Sequence, residues 1–584
     1  MTEPRTGAEL FVDALERYGV EHVFGNPGTT ELPVVNAIGE SDVEYVLGLH
    51  EDVAVGAAAG YASLRRQHAD ELDGLPAGVV NLHVAPGMAH GLGNLYGAAM
   101  AGAPLVVTAG NHERHFRHEE PILSGDLVTM TEQYTKWSDE VLSVEALPAM
   151  LRRAFRVACT PPTGPVFLAL PLDVMTEETD LEPEPIGGTT ESTGSLAEPI
   201  GRTIPNPGRG DPRAIDAAAD AIAEAENPVL VVGDHVGRHR AWSGVDPVDA
   251  AVELAEAAGA RVHGEILGYE VNFPTDHEQW VSHVPPSERL AQTLYNTDTL
   301  VFAGCSTNTT LWAHEEPLVP DDATVVDLTD EPWEGGKNHS ATVVTGDLGH
   351  VMTELAEAVE ECVSDDTREE RLDQVDAMKQ LVSQQLDAMG DDDVGEGEIS
   401  KAALVDAMRA VAADAFVMDE GITSRYALLT RWDFEPGHLM GNKGGGLGYG
   451  LPAAVGAALA ERGRATALGD EPRTVYGFIG DGSYLYYPHS LYTAARYDLD
   501  LTVVVPDNRN YRILKDNSMA MFGGEEDDYE FTGMDFDPAV DIAANAESHG
   551  AAGYHVDHVD DLESTLAEAV EESGPSVVDV RVQD

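Results

Sequence analysis

Positive charge is scarce in this chain. Lysine occurs only at Lys136, Lys337, Lys379, Lys401, Lys443 and Lys515. Lysine and arginine together number 34 against 103 aspartates and glutamates, a formal net charge of −69 over 584 residues. The acidic excess runs the whole length instead of collecting in a tail, which argues against nucleic-acid or anionic-membrane binding. Self-repulsion of this size destabilises a compact state at low ionic strength, so the composition points to a high-salt cytoplasm, where screening lengths fall to a few Å. Cysteine is scarce as well: Cys159, Cys305 and Cys362 lie too far apart in sequence for a disulfide framework or a metal knuckle. No apolar run reaches transmembrane length, and the start, Met-Thr-Glu-Pro-Arg, lacks a signal peptide's apolar core. The expectation is a soluble, cytoplasmic protein. Neither GxGxxG nor P-loop spacing occurs, which leaves a nicotinamide-linked dehydrogenase without its glycine fingerprint.

What is present is ordinary globular material. Apolar residues make up 43%, enough for large cores and against a disordered acidic chain. The length suits about three or four domains. Two stretches of linker composition divide it, one around 181–212, rich in Pro, Gly, Ser and Thr, and one at 363–398, where a charged helical stretch runs into Gly390-Asp-Asp-Asp-Val-Gly-Glu-Gly-Glu398. The three blocks that remain, 1–180, 213–362 and 399–584, each alternate helical and strand patterns, which predicts α/β folds with parallel sheets. In the first, Ala8–Tyr18 reads as an amphipathic helix, and Gly78–Val84, Pro104–Ala109 and Pro165–Ala169 as buried strands. The middle block has strand patterns at Pro228–Gly233, Thr299–Gly304 and Ala323–Leu328.

The last block carries the chemistry. Strand Thr474–Ile479 runs into Gly480-Asp481-Gly482-Ser483, a helix-like stretch covers Leu491 to Tyr497, and an apolar strand, Leu501–Val505, leads to Asn508. Asn508 follows Asp481 by 27 positions (508 − 481). A strand–turn–helix–strand unit brings its two strand ends side by side at one edge of a parallel sheet, so Asp481 and Asn508 converge. Mg²⁺ bound to a diphosphate takes few protein ligands, all hard oxygens: the Asp481 carboxylate, the Asn508 amide oxygen and the Asn510 carbonyl suit it. Gly480 and Gly482 let backbone approach phosphate oxygens. An ordinary Gly-Asp turn is the plain alternative for the GDG triplet by itself.

At these residues the chain resembles the thiamine diphosphate (ThDP) enzymes that act on 2-oxo acids, whose motif is GDG followed at this distance by a double Asn; here the pair reads Asp507-Asn508. The resemblance spans nearly the whole chain. Val23–Pro33 is similar to the opening loop of benzoylformate decarboxylase, with Thr29 where that enzyme has a serine contacting the substrate carboxylate. Leu49–Ala62 places Glu51 at the cofactor-activating glutamate. Asn81-Leu-His83 matches a catalytic-histidine segment, and Phe273–His277 resembles a second one. Gly445–Gly456 resembles the stretch that grips the cofactor rings, with Leu447 under the bent cofactor and the Gly445 carbonyl toward its amino group.

The resemblance implies three parallel-sheet α/β domains of the pyruvate decarboxylase-like architecture: an N-terminal pyrimidine-binding domain (1–180), a central α/β domain (213–362) and a C-terminal diphosphate-binding domain (399–584). It implies ThDP and Mg²⁺ as cofactors and decarboxylation of a 2-oxo acid through an enamine. Glu51, His83, His277 and Thr29 would be catalytic. Glu51, Gly445, Leu447, Gly480, Asp481, Gly482, Ser483 and Asn508 would bind ThDP, and Asp481, Asn508 and Asn510 the metal. A homodimer or homotetramer with interfacial active sites is implied too. Some relatives hold FAD in the central domain; with no glycine fingerprint there, a spacer role is favoured. The segment after the metal ligands departs from the decarboxylase: Asp516 and Asn517 stand at its aromatic pair, and the bases Arg512 and Lys515 either meet a second anionic group on the substrate or cover acidic surface. An acetolactate synthase-like carboligase and a non-catalytic ThDP-binding subunit are the alternatives.

Overall fold

The computed structural model describes residues 4–69, 71–183, 204–238, 244–337, 339–389 and 394–583. The segment 184–203, most of the first linker, lies outside the described residues, as does 390–393 in the second. Between them the charged helical stretch forms the helix Asp365–Met389.

Three six-stranded parallel sheets organise the chain, flanked by helices. The first is built from β1 (His22–Gly25), β2 (Glu44–Leu47), β3 (Gly78–Leu82), β4 (Leu105–Asn111), β5 (Ser138–Glu140) and β6 (Val166–Pro171), in the order 2-1-3-4-6-5. The central sheet uses β7 (Pro228–Val232), β8 (Arg261–Gly264), β9 (Trp280–His283), β10 (Thr299–Ala303), β11 (Thr324–Thr329) and β12 (Thr342–Thr345), in the order 9-8-7-10-11-12. The third uses β13 (Phe416–Glu420), β14 (Leu439–Gly441), β15 (Val475–Ile479), β16 (Leu501–Asp507), β17 (Ala552–Val556) and β18 (Pro575–Arg581), in the order 14-13-15-16-18-17. Counted within its own domain, the third order is again 2-1-3-4-6-5. The first and last domains therefore share one topology that their residues do not advertise. The inner strands β3, β4, β6, β13, β15 and β16 are buried along their whole length, as sheets covered on both faces require.

By compactness the chain divides into two units, one holding the first and last domains and one holding the central domain with Leu429–Lys443. Within the first unit two long helices, α1 (Glu51–Gln67) and α2 (Gly450–Leu468), are buried almost throughout. They touch backbone to backbone. A Cβ on Gly60 would lie 2.0 Å from the Ala453 carbonyl oxygen, and one on Gly456 would lie 1.8 Å from that of Ala57. The Ala- and Gly-rich faces that allow this approach fix where both helices begin, and both beginnings carry site residues. Among the described residues no helix is long and apolar enough to cross a membrane.

One predicted boundary differs. The strand read as Gly78–Val84 stops at Leu82; His83 caps a helix, Val84–His90, and Val84 takes φ +34°. A β-branched residue in that region is strained, and its preference for strands hid the turn from the sequence.

Candidate active site

One pocket at the C-terminal edge of the third sheet is lined by Gly480, Asp481, Gly482, Ser483, Asn508 and Asn510, together with Leu447, Glu420–Ser424 and Tyr511–Ile513. The arrangement starts in the strands. Apolar β15 ends at Ile479, Gly480 continues extended, and Asp481–Tyr484 makes one helical turn. Asp481 accepts the N–H of Gly482 (2.8 Å) on one carboxylate oxygen and that of Arg509 (2.7 Å) on the other. Gly482 is required sterically, since a Cβ there would meet the Tyr511 ring at 2.7 Å. Gly480 and Gly446 are not: a Cβ on Gly480 would find its nearest neighbour at 3.6 Å, and one on Gly446 nothing within 4 Å. These are openings that nothing in the chain fills.

β16 delivers the second half. Asn508 and Asn510 are both buried, and the Asn510 N–H donates to the Asn508 side-chain oxygen (3.2 Å). Residues 509–511 are pinned by Phe536 N–H to the Arg509 carbonyl and Tyr511 N–H to the Met534 carbonyl, both 2.8 Å. Between the asparagines Arg509 sits at φ +61°, a left-handed turn that aims both asparagines the same way. Asp507, which replaces the first Asn of the motif, accepts the Arg509 N–H (2.9 Å) and faces Asp481. Burial, and next the Asp507 carboxyl beside it, push Asp481 up to about 7. Two buried carboxyls, with amide oxygens at their side, form a hard-oxygen donor set suited to a divalent cation. The residues present thus fit Mg²⁺.

The glycine-rich loop is held by a residue the sequence reading missed. Glu420, buried at the end of β13, accepts the N–H groups of Gly448 (3.3 Å), Tyr449 (3.3 Å) and Gly450 (3.0 Å). This carboxylate at the start of α2 satisfies orphan helix donors and complements the helix dipole. It fixes the backbone of 448–450, just after the turn where Gly445 needs its glycine for φ +66°. Ser483 is buried, and its hydroxyl lies 3.5 Å from the Glu420 carbonyl.

A second group lies in the first domain. Glu51 is the first residue of α1, its side chain 12% exposed, and one carboxylate oxygen lies 3.3 Å from His90 Nδ1. His83 Nδ1 is 2.8 Å from Glu31, a fully buried carboxylate that also accepts the N–H groups of Val84 (3.2 Å) and Gly110 (2.9 Å). With Glu31 an acceptor on both oxygens, His83 carries its proton on Nδ1 and leaves Nε2 as the acceptor. The loop bearing Thr29 covers this ring so closely that a Cβ on Gly28 would overlap it, 2.0 Å from Nδ1. Thr29 itself is exposed at the start of a short 3₁₀ turn. Glu31 is the second residue missed: a lone Glu in Thr-Thr-Glu shows nothing of the imidazole it orients.

His277 has surroundings of its own. It belongs to the central unit, where Nε2 lies 3.4 Å from Glu256 on the helix Pro247–Ala258 and its ring meets Phe273 edge-on. Arg512 reaches the pocket but is held by Asp516 (2.8 Å) and Glu526 (3.1 Å), while Lys515 is held by Asp535 (2.6 Å) over the Phe531 ring. Asp516 and Asn517 do not line the pocket; the side chains there are Tyr511, Arg512 and Ile513.

Comparison with known proteins agrees with this layout. Residues 5–136 match the N-terminal TPP binding domain of thiamine pyrophosphate enzymes, 215–355 the central domain and 419–580 the C-terminal TPP binding domain. The chain is 28% identical to benzoylformate decarboxylase of Pseudomonas aeruginosa over 98% of both chains. It is 26% identical to the large subunit of acetolactate synthase isozyme 2 of Escherichia coli over 99% of this chain and 96% of that one. Among solved structures, the thiamine diphosphate-dependent 4-hydroxybenzoylformate decarboxylase of Rhodococcus jostii superposes with a TM-score of 0.80 at 28% identity, covering 99% of each chain. With both cofactor-binding domains and the central domain present in order, the chain belongs to the thiamine pyrophosphate enzyme family.

Proposed function

We propose that this protein is a ThDP- and Mg²⁺-dependent decarboxylase of a 2-oxo acid, similar in reaction to benzoylformate decarboxylase. The observation that carries the reading is the pocket in which Asp481, Asn508 and Asn510 meet the Glu420-held loop. ThDP, when bound, supplies the electron sink for loss of CO₂. The chain's residues do the rest. Asp481, Asn508 and the Asn510 carbonyl would hold the cation and through it the diphosphate, and Gly480 would leave room for phosphate oxygens beside the Gly482–Ser483 turn. Gly445 and Leu447 would position the rings, and Glu51 would be the residue that holds a proton toward the pyrimidine. His83, with Nδ1 fixed by Glu31, presents Nε2 for proton transfer to the reacting substrate. Thr29 offers a hydroxyl to the substrate carboxylate.

The substrate's distal group would face Tyr511, Ile513 and an Arg512 already engaged by two carboxylates, which favours a polar-edged group over a bare phenyl ring. Homo-oligomeric assembly and a high-salt cytoplasm are part of the same proposal. For the central domain we propose a spacer role: Asp234, Glu265 and Lys443 close upon one another where its strand order reverses, the usual place for a nucleotide.

The test is CO₂ release at molar salt with ThDP and Mg²⁺ from benzoylformate, pyruvate, phenylpyruvate, and branched-chain and dicarboxylic 2-oxo acids, with products identified. Cofactor-dependent CO₂ with an aldehyde is expected. An acyloin product would select the acetolactate synthase-like carboligase, the reading favoured by the 26% identity over the full chain to such enzymes. ThDP bound without turnover on any of these acids would sink the decarboxylase reading.

A further inference from the structure

We propose that His90 positions the Glu51 carboxylate and exchanges its proton with solvent; this rests on the reading of Glu51 as the group that meets the cofactor's pyrimidine. Glu51 is almost enclosed, 12% exposed, whereas the His90 side chain is 60% exposed. Nδ1 of His90 stands 3.3 Å from Glu51 Oε2. His90 is the last residue of the helix Val84–His90, and Gly87 lets that helix lie close against Glu51: a Cβ there would come within 3.1 Å of Glu51 Oε1 and 3.2 Å of the His83 Cβ. The His90 ring is steadied on the other side by the His50 ring, stacked at 5.3 Å and 28°. His50 is itself fixed, because its Nδ1 accepts the Asp52 N–H (3.1 Å) as the cap of α1. The rings of Tyr487 and His489 face His50 in turn.

This makes a two-member path from water to the carboxylate. His90 gives the proton on Nδ1 to Glu51 Oε2 while Nε2 takes one from solvent, and the reverse returns it; no other reactant is needed. An imidazole suits the step near neutral pH. A carboxylate covered by a bound ring has little other access to water, so its proton would otherwise exchange slowly.

The test measures hydrogen–deuterium exchange at the thiazolium C2 of bound ThDP, together with ThDP affinity, in the full-length protein and in the variants His90→Ala and His90→Asn. Exchange in both variants should slow by roughly tenfold, a fraction of what a positioned acid–base group contributes. The Kd for ThDP should stay within about twofold, and added imidazole should restore exchange in His90→Ala. Unchanged exchange would overturn the proposal. So would a slowing matched by an equal loss of ThDP affinity without imidazole rescue, the signature of a structural role. If the unaltered protein binds ThDP but does not speed C2 exchange over free ThDP, the reading of Glu51 itself falls, and this proposal with it.

Discussion

Two pairs of buried carboxylates sit at the C-terminal edges of two parallel sheets, and the chain treats them in opposite ways. In the central domain Asp234 and Glu265 follow β7 and β8, and the Lys443 ammonium lies between them, 2.8 Å from one and 2.9 Å from the other, with its side chain 3% exposed. Backbone N–H groups of Tyr269 and Glu270 donate to Asp234, and those of Ser306 and Thr307 to Glu265. Burial works to raise Asp234, but Lys443 and then Arg238 outweigh it and hold that carboxyl below its usual range; burial and the Asp234 charge raise Glu265. In the C-terminal domain burial and Asp507 push Asp481 up to about 7, and the cations beside the pair are arginines on Asp507, Arg509 at 3.4 Å and Arg581 at 3.9 Å. Where a chain so poor in lysine closes an edge, it uses one of its six. Where it leaves a carboxyl beside an open pocket, as at Asp481, the proposed divalent cation would supply positive charge on the pocket side, while Arg509 and Arg581 pair with Asp507.

The comparison breaks most severely at Asp481. Asp481→Asn should weaken ThDP binding in the presence of Mg²⁺ by about 100-fold or more, because one charged metal ligand is lost; equilibrium dialysis reads it. The proton-transfer residues come next. His83→Ala should lower kcat by about 100-fold, with ThDP still bound; His277→Ala tests the second histidine, where a loss of similar size would place it in the proton transfers and a change below about threefold would leave it with Glu256 alone. Steady-state kinetics on the 2-oxo acid that the CO₂ assay identifies separates the two.

In the central domain the expected loss is stability instead of chemistry. Lys443→Met strands two buried carboxylates and should cost about 3–5 kcal/mol, seen as a lower denaturation midpoint. The triple variant Asp234→Asn, Glu265→Gln, Lys443→Met keeps the acceptors of the backbone N–H groups without the charges and should recover much of that loss.

The smallest effect is one of pH. Asp481 binds its proton up to about pH 7 when folded, against 3.8 as a free carboxyl, so the folded state holds more protons in that window. The stability this group contributes is full below about pH 4 and is lost as pH rises through about 7. Buried His22 and His263, held down to about 4 and about 3 chiefly by burial, act with the opposite sign, so the readout is a difference: from pH 5.5 to pH 8 the metal-free unaltered protein should lose more stability, or gain less, than Asp481→Asn. Asp579, pushed up to about 6 chiefly by burial, adds a dependence of the same sign as Asp481 that persists in the variant.

Much of this was legible in the sequence because the chemistry constrains it locally. The GDG turn and Asn508 are read from spacing, since only a strand–helix–strand of that length returns the chain to the same edge. The inner strands β3, β4, β6, β7, β10, β11, β15 and β16 show as apolar runs because parallel sheets are buried on both faces, whereas the edge strand β5, Ser138–Glu140, does not. What stayed hidden depends on partners distant in sequence. Nothing in Asp-Glu-Gly at 419–421 announces that Glu420 accepts N–H groups from residues 448–450. Glu31 reveals its role only when β3 and β4 bring His83 and Gly110 to it. Lys443 read as one of six lysines, not as the cation of a buried cluster. The shared strand order of the first and last domains rests on which strands neighbour one another, a property that residue identity does not carry.

The most direct measurement of the central claim is calorimetric titration of ThDP into metal-free protein at molar salt and pH 8, with and without Mg²⁺, for the unaltered chain and for Asp481→Asn. The account predicts saturable ThDP binding that requires Mg²⁺ and disappears in the variant. Binding of equal strength without the metal, or undiminished in Asp481→Asn, would contradict it.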